Sequence, residues 1–164
     1  MTETALTSFR AQTAEVLDEL LARHPESATV LGDHRFDDRL QDRSRTALDD
    51  DAHWVARRLR DLGELAATDL DTADRVDLER LTTSLELRRY ELEQEREHEW
   101  NPLVANPGTA IYALLARDFA PLPDRLRSVG ARLALVPAAL EEARRALSDM
   151  PRVHVETAIG QFAG

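Results

Sequence analysis

Apolar positions along the chain recur at steps of three and four, the period of helices that lay one face on a core. Leu6, Phe9, Val16, Leu17, Leu20 and Leu21 form one such stripe and predict a helix from about Thr4 to Arg23. Pro25 suits the first turn of a short second helix, Pro25 to Leu31, and Gly32 ends it. Leu48, Ala52, Val55, Leu59, Leu62 and Ala66 predict a third helix, about Thr46 to Ala67, with Ser44 or Thr46 as its cap. The alternating steps of that stripe suit antiparallel packing. Asp71 or Thr72 opens a long helix to about Trp100 along Leu78, Leu81, Leu85 and Leu92, and Asn101-Pro102 stops it. Asn106-Pro107-Gly108 opens a short helix through Ile111, Leu114 and Leu115. Leu122, Leu126, Val129, Leu133 and Val136 make a further stripe, which Pro137 is expected to end before a new helix to Leu147. Met150 to His154 reads as a loop before a last helix. No segment alternates apolar and polar long enough to predict a strand. The pattern implies an all-α fold, an antiparallel multi-helix bundle in a single domain.

Ile159 and Phe162 lie three apart and would share a face of that last helix, but the sequence stops at Gly164. The expectation is that residues 1–164 are the N-terminal helical lobe of a longer polypeptide, truncated here. The remainder of that polypeptide is then the first partner to look for.

Composition narrows the functional classes. The formal net charge is −10, and all 21 basic residues are Arg. Nucleic acid needs a basic footprint, so it is disfavoured, and so is an anionic membrane surface. No stretch approaches the ~20 apolar residues that span a bilayer. With no Cys there can be no disulfide, thiolate metal site or cysteine nucleophile. The N-terminus carries no basic region followed by an apolar run. A cytoplasmic location is the expectation.

Candidate chemistry is sparse. His24, His34, His53, His98 and His154 contain no HExxH spacing, because His98-Glu99 is followed by Trp100, Asn101 and Pro102. His154-Val155-Glu156 lacks the cysteine half of a zinc deaminase motif. No metal ligand or catalytic residue can therefore be assigned in this chain. Glu91, Glu93, Glu95, Glu97 and Glu99 spread around a helix and pair with Arg88, Arg89 and Arg96 as a solvated face. The best local candidate is the loop Asp33-His34-Arg35-Phe36-Asp37-Asp38-Arg39. Acid, imidazole and guanidinium groups stand together there on a connection, where functional groups often sit. Asp33, His34, Arg35 and Asp37 are the candidate cleft contacts, against the alternative that they pair with one another to hold the loop. Trp54 and Trp100 read as core or boundary anchors.

The segment from Leu20 to Leu40, with its run Pro25-Glu26-Ser27-Ala28-Thr29-Val30-Leu31-Gly32-Asp33-His34-Arg35, resembles the N-terminal signature of the bacterial "domain of unknown function 885" family. So do Trp100-Asn101-Pro102-Leu103 and Met150 to Ile159. The resemblance implies a longer, mainly helical protein that looks like a zinc metallopeptidase, with an HExxPGHH-type motif in its C-terminal half. None of that motif lies in this sequence. Zinc is expected only in the missing C-terminal part, a peptide is the implied substrate of the whole protein, and this chain alone is expected to be inactive. The alternative is a self-contained helical protein-interaction module without catalysis.

Overall fold

A computed structural model describes residues 3–66 and 70–163, without the side chains of residues 3–8 and 66. The described residues form eight α-helices and no strand: α1 (Glu3–Arg23), α2 (Pro25–Leu31), α3 (Arg45–Ala66), α4 (Thr72–Tyr90), α5 (Glu97–Trp100), α6 (Gly108–Ala116), α7 (Leu122–Ala146) and α8 (Arg152–Phe162). Short 3-10 turns cover His34–Phe36 and Pro102–Ala105, and a π-helical turn covers Glu91–Glu95. The fold is all-α, as the apolar periodicity implies. No described helix is long and apolar enough to cross a membrane.

The helices gather into two compact units. The first comprises residues 1–20 and 48–95. Its core is Phe9, Val16, Trp54, Val55, Leu62, Leu70, Leu78 and Leu85, with Leu20, Leu59, Leu65, Leu81 and Leu92 packed around it. The predicted seam of α3 is thus the buried one, centred on Val55 and Leu62 with Leu59 half-buried beside them. Leu6 and Ala66, assigned to the same stripes, have side chains outside the described set. Polar pairs fix the helix directions. The Trp54 indole donates to Glu19 at 2.7 Å, and Arg58 meets Glu15 at 3.1 Å, so α1 and α3 run antiparallel. Arg88 meets Asp51 at 2.8 Å, so α3 and α4 run antiparallel too. Asp51, in the second turn of α3, is buried and answers Arg88. Asp71 caps α4 by accepting from the Asp74 N–H at 2.9 Å.

The helix expected to reach Trp100 ends early. Its α-helical part stops at Tyr90, the π turn follows, and Arg96 adopts φ 49° before the short α5. After Leu92 the sequence offers no apolar residue until Trp100, so no stripe holds a helix to a core there. Left-handed backbone at a non-glycine residue is uncommon and marks a defined break.

The second unit comprises residues 21–47 and 96–164. Gly32 closes α2 with φ 94°, a conformation that suits glycine, and its N–H reaches the Thr29 carbonyl. Ser44 caps α3 through the Ala47 N–H at 3.3 Å. Pro137 does not end a helix: α7 runs unbroken for 25 residues across it. Proline inside a helix costs about 3 kcal/mol or more. Burial on both sides of it, at Arg125, Val129 and Arg132 before and Ala143 after, offsets that cost. The stripe of α7 is also rotated from the expected one. Val129 is buried, but Leu122, Leu126 and Leu133 are about half exposed, and Arg125 and Arg132 point inward instead.

Candidate functional site

Arg132 organises the second unit. Its side chain is fully buried. The guanidinium donates to four backbone carbonyls: Arg39 at 2.8 Å, Ala110 at 2.7 Å, Pro25 at 3.2 Å and Phe36 at 3.4 Å. It also donates to the Thr29 hydroxyl at 2.6 Å. The hydroxyl oxygen lies 2.6 Å from Asp37 Oδ1 and 3.1 Å from the Pro25 carbonyl. A hydroxyl has one proton to give, and the shorter contact to the charged acceptor takes it. Asp37 Oδ2 faces His34 Nδ1 at 3.0 Å. A carboxylate only accepts, so Nδ1 carries the proton of that contact. The His34 ring stacks on Phe119, with centroids 3.6 Å apart and planes within 7°. Burial pulls the Arg132 guanidinium below its ordinary value, while the charges of Glu26, Asp37 and Asp38 oppose that shift.

This chain from Arg132 through Thr29 and Asp37 to His34 places two of the four loop residues singled out above. Asp37 and His34 come together, but with a buried threonine and a buried arginine, not around a nucleophile. Asp33 and Arg35 pair separately. Asp33 accepts from the Arg35 N–H at 3.1 Å and from its guanidinium at 2.6 Å, which caps the 3-10 turn. Side-chain and then backbone hydrogen bonding from Arg35 hold the Asp33 carboxyl below its free value of 3.8. A carboxyl lowered on folding stabilises the fold above its unfolded value, and that contribution is lost as pH falls through the folded one. The Asp33 carboxyl should therefore titrate below 3.8 in carbon-detected NMR, and Arg35→Ala should return it to the free value. Titration at the free value in the unaltered protein would mean that the fork does not form.

A second buried guanidinium, Arg125, holds the turn between α6 and α7. It donates to the carbonyls of Ala120 at 2.9 Å, Leu115 at 3.0 Å and Arg117 at 2.8 Å, and meets Asp118 at 3.0 Å.

A concave feature of this unit lies elsewhere. A cleft of about 520 Å³ opens beside α2, within the 300–1,000 Å³ common for ligand sites. Val104, Ala105, Ala110, Ala139 and Ala143 give it an apolar floor, with Glu26, Gln41, Arg43 and Asn106 among its polar lining. Asp33, His34, Arg35 and Asp37 do not line it. Glu26 Oε1 accepts from the Gln41 N–H at 3.0 Å, which pins the loop along one edge. Asn106 Oδ1 caps the Gly108 N–H at 2.8 Å, and its amide donates to Gln161 at 3.1 Å. A small separate cavity, lined by Arg43, Val104, Ala105 and Ala143 as well, reaches His98 and Asn101. Sequence reasoning missed the cleft, because alanines make it by what they leave empty. The spacing of Ala139 and Ala143, one turn apart on α7, is the local signal.

Zinc does not fit the donors seen here: among the described residues, no group of three or more His, Asp or Glu could hold a metal ion. His98 and Glu99 are neighbours at 3.8 Å, and His154 stacks on Trp100 at 5.2 Å.

The structure is similar to that of a candidate lipoprotein of unknown function from Shewanella oneidensis, with a TM-score of 0.88 and 25% sequence identity. The match covers 95% of this chain and 29% of that one, so the chain spans less than a third of the length of that protein. No curated protein matches the chain. The family model for bacterial proteins of unknown function, DUF885, matches residues 25–164, the stretch that carries the Arg132 network and the cleft, and the chain belongs to that family.

Proposed function

We propose that this chain is the N-terminal helical lobe of a longer metallopeptidase-like protein, and that its alanine-floored cleft forms part of the wall against which a peptide substrate lies. The cleft carries the reading: it is large enough for a side chain and a stretch of backbone, apolar at its floor and polar at its edge. Two further observations support it. The chain spans 29% of the structure it resembles. Leu122, Leu126 and Leu133, at i, i+4 and i+11 on α7, share a face that stays about half exposed, as a surface covered by the remainder of the polypeptide would. The lobe supplies shape and hydrogen bonds; with no fitting donor set among its described residues, no step of a metal-dependent reaction is assigned to it.

The test uses the longer protein and an unstructured peptide. Hydrolysis should be abolished by a chelator. Ala139→Phe, which fills the cleft from α7, should raise KM about 10-fold or more with little change in kcat, since it removes binding common to substrate and transition state. The 164-residue chain should not hydrolyse the peptide. Activity in this chain alone, or indifference of the longer protein to the chelator, would overturn the reading.

A further inference from the structure

We infer that the cleft of the second unit binds an apolar ligand through a terminal carboxylate, with Arg43 as the anion-recognising residue. The inference rests on the reading of the cleft as a ligand wall and adds the ligand's chemical class. Two charged side chains line the cleft, Glu26 and Arg43. Glu26 is committed: its Oε1 accepts the Gln41 N–H at 3.0 Å, and its charge faces the buried Arg132. Arg43 lines the cleft and also a small neighbouring cavity that reaches His98. Arg43 already takes part in an interaction within the protein. A guanidinium has five N–H donors, however, and can hold an internal partner and a carboxylate together. Val104, Ala105 and Ala143 line the cleft together with it, so an apolar chain lying in the cleft can bring its end group to the guanidinium. Apolar walls strengthen a charge-assisted hydrogen bond by excluding water, and the planar fork of arginine matches a carboxylate.

Octanoate, octanol and octylammonium differ in the end group and share the apolar chain, so they separate the two parts of the inference. In methyl-detected NMR titrations of the 164-residue chain, octanoate should perturb Val104 and Ala110 and bind about 10-fold or more tighter than octanol. Arg43→Gln should bring octanoate down to the octanol level, Arg43→Lys should recover part of the difference, and Ala139→Phe should weaken both ligands. If Arg43→Gln does not fold, the ratio of the three ligands in the unaltered protein decides. Equal binding of octanoate and octanol would overturn the carboxylate inference and leave the apolar cleft reading standing. No perturbation of the cleft by any of the three would overturn both.

Discussion

Arg132→Leu is expected to destabilise the protein by about 3–5 kcal/mol, the loss typical when one partner of a buried charged network is removed. The leucine would fill much of the space, but it would leave the carbonyls of Pro25, Phe36, Arg39 and Ala110 without their donor. It would also leave the buried Asp37 without the cation that reaches it through Thr29. Arg132→Lys tests which part matters. Lysine keeps the charge but not the fork, so it should recover less than half of the loss. Urea unfolding followed by far-UV circular dichroism measures both. A lysine variant within about 0.5 kcal/mol of the unaltered protein would show that charge alone suffices and that the four-carbonyl geometry is incidental.

Leu62→Ala is expected to cost about 2–5 kcal/mol, from lost burial and the cavity left in the first unit. Leu62 is 1% exposed and central to that core. Leu126→Ala, on the half-exposed face of α7, should stay within about 0.5 kcal/mol. The pair of variants checks both helix registers in one denaturation experiment. A large loss at Leu126 with a small one at Leu62 would reverse the assignment of buried and exposed stripes.

Those two leucines mark where the sequence can be read and where it misleads. In α3 the three-and-four stripe of apolar residues identifies the core, and Asp51 is buried beside it with Arg88. Caps are legible for the same local reason: Ser44, Asp71 and Gly32 each act within a few residues of their position. In α7 two stripes compete. The leucine stripe suggests Leu122, Leu126 and Leu133, but the buried one runs through Arg125, Val129 and Arg132. Arginine is ordinarily read as solvated, and nothing within a turn of Arg132 announces its acceptors. These lie 93 to 107 residues earlier, apart from Ala110 and its carbonyl. The loop from Asp33 to Arg39 was recognisable as a cluster of mixed charge. Its purpose was not, because the threonine and arginine that use Asp37 come from α2 and α7. Pro137 misleads in another way. Proline removes one rung of a helix, and only the burial on either side shows that α7 can do without it.

The span of the Arg132 contacts has a consequence for how the protein is made. Pro25 and Arg132 are separated by 107 residues, and Thr29 and Arg132 by 103. A ribosome adding about 5–20 residues per second would produce α2 and its following turn roughly 5–20 s before the residue that anchors them. During that interval the carbonyls of Pro25, Phe36 and Arg39 have water as their partner, and Asp37 has no cation. The segment that opens the second unit therefore stays unfinished until α7 is synthesised, while Phe9, Val16, Val55, Leu62 and Leu85 can already come together. Birth order favours the first unit's core, and a nascent chain that has exposed Leu85 but not yet Arg132 can gather that core while the segment that opens the second unit lacks its anchor.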